Sequence, residues 1–508
     1  MTAHEPRHCL ARVKSTLISF VATCIALCQG SFALGDDNVE RTVRSTDVLQ
    51  LTAEHNPSLK ASLIAEARAD AAIRAEEGLY PYVFDADTGY THSSTPLGES
   101  QYRKTDQVTL GAGISKTFAV GTTADFHLAG QWYRTQASSL DIAETRDVPN
   151  FGLGARLTLI QPILRGAGNR VGLASLRSAQ KQKTATEKST DAAASAVAKD
   201  VLDTYWSLWL AVKIVEINRK SRDIAAAQLE ETEQRVAVGD AAEVDILAYR
   251  TRLAALEETV VAAQADVRRL QLQLAAETGL IADDAQLTAD TNEAPGAPDE
   301  DRTAEEVLRD ALAFSPSIQE AFAAVSLAEE NLKIAGESLR QRLDFSAWVE
   351  ARTLAVDELA PVVTDFGKGG AYAGYVGLTY ELPLDNRRKE GKRAQARLAV
   401  EIATQNLLSA ENQVRADTLA AYDDLAAAKN RLTLAEETLR LAEAQAEAER
   451  ERYRLGASIF TTVRDAEETV REAELRVAKA RIDIVQTQIA LDHQTGVLLT
   501  RLTLRAPL

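Results

Sequence analysis

The chain has 508 residues, of which 45% are hydrophobic and 26% are charged, and its formal net charge is −17. An acidic chain repels the phosphate backbone, so this balance excludes nucleic acid as the expected partner. No cysteine occurs after Cys28. The remainder of the chain therefore forms neither disulfides nor thiolate metal sites.

Residues 1–33 have the pattern of a cleaved export signal. Three cations precede an apolar run at residues 17–28, and small side chains stand at positions 31 and 33, where a signal peptidase reads them. Acylation at Cys24 or Cys28 is the alternative, although neither follows the small residue that lipid attachment favours. We therefore predict an exported protein.

The next segment, residues 34–282, opens with short helices, one of them starting at Pro57. Its residues at about 80–162 alternate in polarity: Phe151 and Leu153 share one strand face, and glycine or polar residues share the other. This alternation is typical of lipid-facing barrel strands, and also of a half-buried soluble sheet. Strands are predicted at about 82–94, 106–118, 122–134 and 150–161.

A long helical hairpin is predicted at residues 169–278. Between Asn169 and Val236 there is no proline, and the only glycine lies near the start. About 70 helical residues at about 1.5 Å each make a rod of about 100 Å, which a compact globular core cannot contain. A turn at Gly239 then leads into the second helix of the hairpin.

Residues 283–302 form an acidic linker with proline and glycine, and residues 303–508 repeat the order of the first segment. Pro316 is placed to begin a helix, as Pro57 is. The strand region of this second segment is predicted at about 342–384, with strands at about 343–353 and 371–382. Its long helical hairpin is predicted at 386–495.

A constant offset of 217 residues relates the two segments and identifies them as internal repeats. The pairs at this offset include Tyr205 with Tyr422, Leu208 with Leu425, Gly239 with Gly456 and Gly279 with Gly496. The second helix of each hairpin also carries an apolar stripe typical of a coiled-coil seam. The stripes are Leu253, Leu256, Val260, Ala263, Val267, Leu270 and Leu274, and, at the same offset, Val470, Ala473, Val477, Ala480, Ile484, Thr487 and Leu491.

The six predicted strands limit the possible architectures. After the signal we find no run of about 18 apolar residues, so no transmembrane helix is expected. A membrane-spanning protein without such helices must be a closed barrel, and membrane barrels need at least about eight strands. Either the sheet lies outside a membrane, or several copies of the chain share one barrel.

Several motifs, in their order and spacing, resemble the TolC-like outer-membrane efflux protein family over essentially the whole mature chain. They are the helix starts "NP" and "SP", the strand exits "LTLIQPILRG" and "LTYELPLDN", "TYWSL" and "AYDDL" within the rods, the "VG" and "LG" turns, and the "ETG" and "QTG" ends. The resemblance implies an α+β membrane protein, a homotrimer whose chains build one outer-membrane β-barrel continued by a long periplasmic α-helical barrel. Two repeats per chain then give six similar hairpins, with Pro162 and Pro383 at the strand-to-helix junctions.

The first repeat is longer than this family pattern requires. From helix-start proline to strand-exit proline there are 105 residues in the first repeat and 67 in the second. The surplus accommodates an extra hairpin at about 107–133. The resemblance implies four strands per chain, so the trimer here has either twelve barrel strands with a separate flap, or eighteen.

The resemblance also implies a gate at the periplasmic ends of the helices. Counted from the turn glycines, Tyr453 matches a tyrosine that tethers the inner hairpin, and Asp245 matches the aspartate that accepts its hydrogen bond. Asp465 matches one of two aspartates that line the constriction, whereas Thr462 replaces the other and Ser458 replaces an expected arginine. Asp465 either forms a single acidic ring in the trimer or is an ordinary acid on a helix surface.

Val238, Gly239, Leu455 and Gly456 lie at the two hairpin tips and are the predicted contacts with the α-hairpin of a periplasmic adaptor. Small and apolar residues permit close helix packing at such a contact. The alternative is that the two glycines only end their helices. Both interpretations can hold together.

No constellation of catalytic residues is found. The histidines are scattered, and the motifs of zinc proteases, serine hydrolases and nucleotide-binding loops are absent from the sequence. No catalytic residue, cofactor or resident metal is therefore predicted.

The resemblance implies the outer-membrane channel of a tripartite efflux or type I secretion system, which conducts substrates passively from an inner-membrane pump of the RND or ABC type. Expected partners are two further copies of the chain, a periplasmic adaptor (membrane fusion protein) and outer-membrane lipid. The expected location is the outer membrane, with helices extending into the periplasm. The alternatives are a structural coiled-coil surface protein and a metal-ion efflux outer-membrane lipoprotein, and the sequence specifies no exported substrate.

Overall fold

A computed structural model describes residues 41–98, 101–137, 149–239, 243–280, 287–293, 302–366 and 371–501. The predicted signal at 1–33, with its cysteines, and most of the linker at 283–302 lie outside the described residues.

The first repeat begins with strand β1 (Arg41–Val43) and helices α1 (Ser45–His55) and α2 (Pro57–Glu77). Pro57 is the first residue of α2, as predicted, because its fixed φ suits a helix start and its missing N–H costs no hydrogen bond there. The side chain of Asn56 caps α2 by accepting a hydrogen bond from the backbone N–H of Leu59 at 3.0 Å.

Four long strands follow: β2 (Tyr82–Gly98), β3 (Gln101–Thr117), β4 (Thr123–Ala137) and β5 (Pro149–Pro162). After one turn of helix, α3 (Asn169–Gly172), the 64-residue helix α4 (Ala174–Ala237) and helix α5 (Glu243–Thr278) form the first long hairpin. At 1.5 Å per residue, α4 is about 96 Å long. The predicted rod is therefore present, apart from a break at Leu173.

The second repeat has the same order with two fewer long strands. Its short elements are β6 (Leu287–Ala289), α6 (Ala304–Phe314) and α7 (Pro316–Glu337), followed by β7 (Arg342–Val356), α8 (Ala360–Thr364) and β8 (Ala371–Glu381). The second long hairpin consists of α9 (Arg387–Arg454) and α10 (Phe460–Gln494), and α11 (Val497–Arg501) follows. Pro316 begins α7, as predicted, whereas the short helix α8 was not predicted.

The long strands form one antiparallel sheet in the order β2-β3-β4-β5-β7-β8, and β1 pairs with β6 in a separate two-stranded sheet. All six strands predicted from the alternation are present. The extra hairpin of the first repeat, β3 with β4, lies within the sheet between β2 and β5. It is therefore not a separate flap.

The two faces of this sheet differ in polarity, because side chains alternate along extended backbone. We call one the apolar face; it carries Phe84, Leu110, Phe126, Leu157, Val349 and Val376, which are between 46% and 73% exposed. We call the other the polar face; it carries Asp85, Gly111, His127, Arg156, Glu350 and Ala373. An exposed apolar surface of this extent marks a site of contact with a membrane or another protein.

The two repeats share packing as well as sequence. All residues of both predicted apolar stripes are buried or half-buried. The hydroxyl of Tyr205 donates to the carbonyl of Val43 at 3.3 Å, and the hydroxyl of Tyr422 donates to that of Arg302 at 3.4 Å. The glycines paired at the offset of 217, Gly239, Gly456, Gly279 and Gly496, all have φ between 72° and 84°.

The main apolar core lies where α4 passes the short elements of the first repeat. Tyr205, Trp206 and Trp209 of α4 are buried there against residues of β1, α1, β6 and α10. Because α10 belongs to the second repeat, the core joins the two repeats. From Thr42 onward the chain forms one unit by its internal contacts.

One helical stretch among the described residues, 304–337, is long and apolar enough to cross a membrane by length and composition. The stretch was not predicted, because it contains no unbroken run of about 18 apolar residues. The stretch consists of α6 and α7, which are separated at Ser315, where φ is −56° and ψ is 127°. Helix α7 packs along α4 and α9.

Candidate functional site

Both long hairpins end in the same kind of glycine turn. In the second hairpin, the N–H of Gly456 donates to the carbonyl of Tyr453 at 2.9 Å, and the N–H of Ala457 donates to that of Arg452 at 2.8 Å. This pair of bonds satisfies the last carbonyls of the helix and requires a residue with left-handed φ. Gly456 has a φ of 72° and Gly239 has a φ of 84°.

The residues beside these glycines form an apolar surface at each tip. Val238 is 80% exposed and Leu455 is 73% exposed. A Cβ built on Gly239 or Gly456 meets no described atom within 4 Å. The tips are thus open to a partner, and their contact with an adaptor stays a prediction.

An aromatic contact joins the two hairpins above the tips. The ring centroids of Tyr249 on α5 and Phe460 on α10 lie 3.9 Å apart. Burial raises the pKa of Tyr249, and a hydrogen bond with the hydroxyl of Tyr453 raises it further. The side chain of Asp245, the predicted partner of Tyr453, lies outside the described residues, so the tether between them stays a prediction.

Asp465, the predicted constriction acid, is exposed on α10. Its carboxylate accepts hydrogen bonds from the guanidinium of Arg464 at 2.7 Å and 3.0 Å. This neighbouring cation offsets part of the negative charge on which an acidic ring depends. Ser458, which stands where an arginine was expected, donates to Glu449 at 2.9 Å.

A buried carboxylate links all four long helices above the tips. Only 5% of the Glu467 side chain on α10 is exposed. Its oxygens accept hydrogen bonds from Gln228 of α4 at 2.9 Å, from Arg252 of α5 at 2.8 Å and from Arg450 of α9 at 3.0 Å. We call these four residues the Glu467 cluster.

The Glu467 cluster lies a short distance from the tips. Gln228 and Glu467 are each 11 residues from their turn glycine, which is roughly 16 Å along a helix axis. A buried charge is costly unless it is paired and hydrogen-bonded. The hairpins therefore cannot separate here without exposing or unpairing this carboxylate.

The first repeat carries the opposite charges at the matching positions. The offset of 217 relates Arg450 and Glu467 to Glu233 and Arg250. Arg250 donates to Glu233 at 2.8 Å, but the two side chains are 61% and 43% exposed. Sequence reasoning missed the Glu467 cluster, although this charge reversal at the repeat offset was a signal that could have revealed half of it.

Two prolines connect the sheet to the long helices. Pro162 is the last residue of β5, and Pro383 follows the end of β8 by two residues. Pro162 thus ends its strand and Pro383 follows its strand, and in both repeats a long helix comes later in the chain. A residue with fixed φ and no backbone donor suits the end of a ladder.

Comparison with known proteins agrees with this architecture. The model of the outer membrane efflux protein family matches residues 307–497, which is most of the second repeat. No match was found among curated protein sequences.

Solved outer-membrane proteins share the fold of nearly the whole chain. The outer membrane protein VceC of Vibrio cholerae is 17% identical, with 89% of this chain and 96% of VceC covered and a TM-score of 0.60. The CmeC outer membrane channel of Campylobacter jejuni is 13% identical, with 89% and 85% covered and a TM-score of 0.62. The MtrE outer membrane channel of Neisseria gonorrhoeae is 16% identical, with 89% of each chain covered and a TM-score of 0.58.

These findings confirm the resemblance to the TolC-like outer-membrane efflux protein family, whose model matches residues 307–497. The predicted location in the outer membrane agrees with the descriptions of the family and of these solved structures. The extension of the helices into the periplasm stays a prediction. At these identities the likeness to the solved structures establishes the fold.

Proposed function

We propose that three copies of this chain form one channel, in which their sheets close into an eighteen-stranded outer-membrane barrel and their long helices form a tunnel in the periplasm. The channel passively conducts substrates delivered by an inner-membrane pump and a periplasmic adaptor. This proposal extends the family assignment to the assembly and its role.

The observation that carries the proposal is an open six-stranded sheet with an exposed apolar face. Within the described residues, β2 and β8 each pair on one side only. Six strands are too few to close a membrane barrel, and an unpaired edge in lipid leaves backbone groups unsatisfied. The backbone groups at the edges of all three sheets are hydrogen-bonded if β8 of one copy pairs with β2 of the next.

The lengths and polarity of the strands support this assembly. The strands contain between 11 and 17 residues, and about 9 to 11 residues suffice to cross a bilayer. The exposed side chains of the apolar face match a lipid environment, whereas charged and glycine residues of the polar face match a water-filled lumen.

The tips support the second part of the proposal. Val238 and Leu455 give each hairpin an exposed apolar end, which fits an adaptor made of α-hairpins. The tether between Asp245 and Tyr453, and a ring of Asp465 side chains, would hold the tunnel narrow until the adaptor engages. The Glu467 cluster keeps the two hairpins of one chain together in this closed arrangement.

Cysteine cross-linking between edge strands tests the assembly. No cysteine occurs after Cys28, so Thr88→Cys on β2 and Gly374→Cys on β8 introduce the only two thiols in the mature chain. Both positions are exposed on the apolar face. In outer membranes, a short flexible bis-maleimide is expected to yield covalent dimers and trimers.

The matched control replaces Thr88→Cys by Leu128→Cys, which lies on the same face but on the central strand β4. This pair is expected to give no intermolecular product. Monomers alone from the edge pair, or equal products from both pairs, would refute the closed trimer.

A further inference from the structure

Three potential metal ligands meet on the polar face of the sheet. Asp85 and Asp87 are two residues apart on β2, and His127 is on β4. One ligand atom from each residue lies within 4.8 Å of the other two. Strand β3 separates β2 from β4, so these side chains converge above it.

Two glycines on β3 make this convergence possible. Gly113 pairs with both Asp85 and His127, and Gly111 pairs with Asp87. A Cβ on Gly111 would lie 2.2 Å from Oδ1 of Asp87 and 2.9 Å from Nε2 of His127. A Cβ on Gly113 would lie 2.7 Å from Oδ1 of Asp85 and 2.9 Å from Nδ1 of His127. Any side chain at either position would therefore displace the ligands.

The spacing of the ligand atoms suits an ion better than direct hydrogen bonds. Nδ1 of His127 is 3.7 Å from Asp85 Oδ2, and Nε2 is 3.9 Å from Asp87 Oδ1. Both distances exceed the usual limit of a hydrogen bond, about 3.2 Å. A transition-metal ion binds nitrogen and oxygen ligands at about 2.0–2.2 Å. One ion uses only one of the two ring nitrogens, so it bridges one of these gaps, while the other aspartate, whose ligand atom lies within 4.8 Å, turns toward it.

The neighbouring cation does not neutralise the aspartates. Arg156 pairs with His127 along the ladder between β4 and β5, but its guanidinium binds Glu350, with Nε at 2.8 Å and Nη2 at 2.5 Å from the same oxygen. Asp87 and His127 border an open cavity of about 970 Å³, which is also lined by Gly152, Gly154 and Glu350. An ion therefore has access from solvent.

We propose that Asp85, Asp87 and His127 bind a divalent transition-metal ion of the Zn²⁺ or Cu²⁺ class. One imidazole with two carboxylates suits these borderline ions, whereas Mg²⁺ and Ca²⁺ prefer oxygen ligands alone. Water completes the coordination and leaves positions open to exchange. Two of the three strands that form the site, β3 and β4, are those of the extra hairpin.

Metal binding to the purified mature chain in detergent tests the proposal without requiring that it conduct. The protein is purified with a tag that lacks histidine, and Cu²⁺ and Zn²⁺ are the probes. We expect one ion per chain by calorimetry, and a Cu²⁺ electron paramagnetic resonance spectrum with coupling to one imidazole nitrogen. His127→Gln and Asp87→Asn should each lower the affinity at least about tenfold.

His92→Gln is the matched control, because His92 also contacts an aspartate on the neighbouring strand, Asp106 at 2.7 Å, but on the apolar face. It should leave the affinity unchanged. Gly111→Ala keeps all three ligands yet should weaken binding, because its Cβ occupies the position of Asp87 Oδ1. Circular dichroism establishes that the variants are folded.

The absence of a bound ion in the folded wild-type chain would overturn the proposal, and would identify the cluster as an ion pair alone. Equal affinity in wild type and His127→Gln, or a larger loss in His92→Gln than in His127→Gln, would also overturn it. None of these results bears on the trimeric channel, which the cross-linking experiment tests separately.

Discussion

The two long hairpins carry the same link between their helices, but with reversed charge and different surroundings. In the first, Glu233 and Arg250 form an exposed pair, and in the second, Arg450 and Glu467 form a pair whose carboxylate is buried. Exposed ion pairs contribute little to stability, whereas loss of one partner of a buried pair is costly. The two repeats therefore have an ion pair at the same position, but the loss of one partner costs more in the second repeat, because its carboxylate is buried.

The difference also changes what the link connects. The exposed pair joins two helices of one hairpin, whereas Glu467 additionally binds Gln228 and Arg252 of the other hairpin. One carboxylate thus ties the second hairpin to the first. In the proposed channel, this attachment opposes a movement of one hairpin that leaves the other in place.

Among the variants that test this comparison, removal of the Glu467 carboxylate should have the largest effect on local opening. Glu467→Ala leaves Arg252, whose side chain is 11% exposed, without its carboxylate, at a cost of about 3 kcal/mol. Local opening should then be roughly 100-fold more frequent. Hydrogen–deuterium exchange of peptides from residues 225–235 and 460–470 measures this change.

The matched control is Arg250→Ala, which breaks the exposed pair of the first hairpin. Its cost should be below about 1 kcal/mol, which corresponds to a change in exchange of less than about fivefold. Similar acceleration in both variants would show that burial does not distinguish the two links.

Loss of the predicted tether should widen the tips without affecting the Glu467 cluster. A phenol to carboxylate hydrogen bond contributes about 1.5 to 3 kcal/mol, so Asp245→Ala combined with Tyr453→Phe should raise single-channel conductance severalfold in planar bilayers. Tyr372→Phe, which alters a tyrosine of the sheet that is 90% exposed, is the control. Unchanged conductance in the double variant would count against the tether.

The uncharged contact between the hairpins should contribute less to the stability of their association than the charged Glu467 cluster does. Tyr249→Phe retains the ring contact with Phe460 but loses the hydroxyl that bonds Tyr453, at a cost of about 1 kcal/mol. Hydrogen exchange near residue 249 should accelerate by roughly fivefold. Acceleration as large as in Glu467→Ala would contradict the primary role of the buried carboxylate.

The smallest effect should come from His493, which joins α10 to α4 with its Nδ1 2.8 Å from Oγ of Ser195. Burial lowers the pKa of His493 below its ordinary value. The folded state therefore binds fewer protons than the unfolded state, so the stabilisation is complete above about pH 6.5 and declines as the pH falls below it.

The measurement for His493 is the thermal midpoint of unfolding as a function of pH. His493→Gln should remove the part of the pH dependence between pH 7 and pH 5 that this histidine causes. Identical pH profiles for the variant and the wild type would exclude this histidine as the source.

Local patterns predicted much of the fold. Alternation located all six long strands, and the prolines at 57 and 316 located two helix starts, because strand faces and helix caps are properties of neighbouring residues. The seam of α10 was predicted for the same reason. The Glu467 cluster was not predicted, because its four members lie on four helices and follow no common period.

The sequence also left the position of the extra hairpin open. Its residues alternate in polarity, which fits both a barrel strand and a separate flap. Only the pairing of this hairpin with β2 and β5, which lie on either side of it in the sheet, distinguishes the two. The metal ligands on β2 and β4 were likewise separated by 40 residues, from 87 to 127. Only the register across Gly111 and Gly113 brings them together.

Because the extra hairpin occurs in only one repeat, the two repeats contribute different numbers of strands but the same number of long helices to the proposed assembly. The diameter of a barrel grows with its number of strands, whereas the bore of a helical tube depends on its number of helices. Eighteen strands give an outer mouth about one and a half times as wide as twelve. The outer opening of such a channel can thus become wider in evolution while the helical tube keeps its diameter.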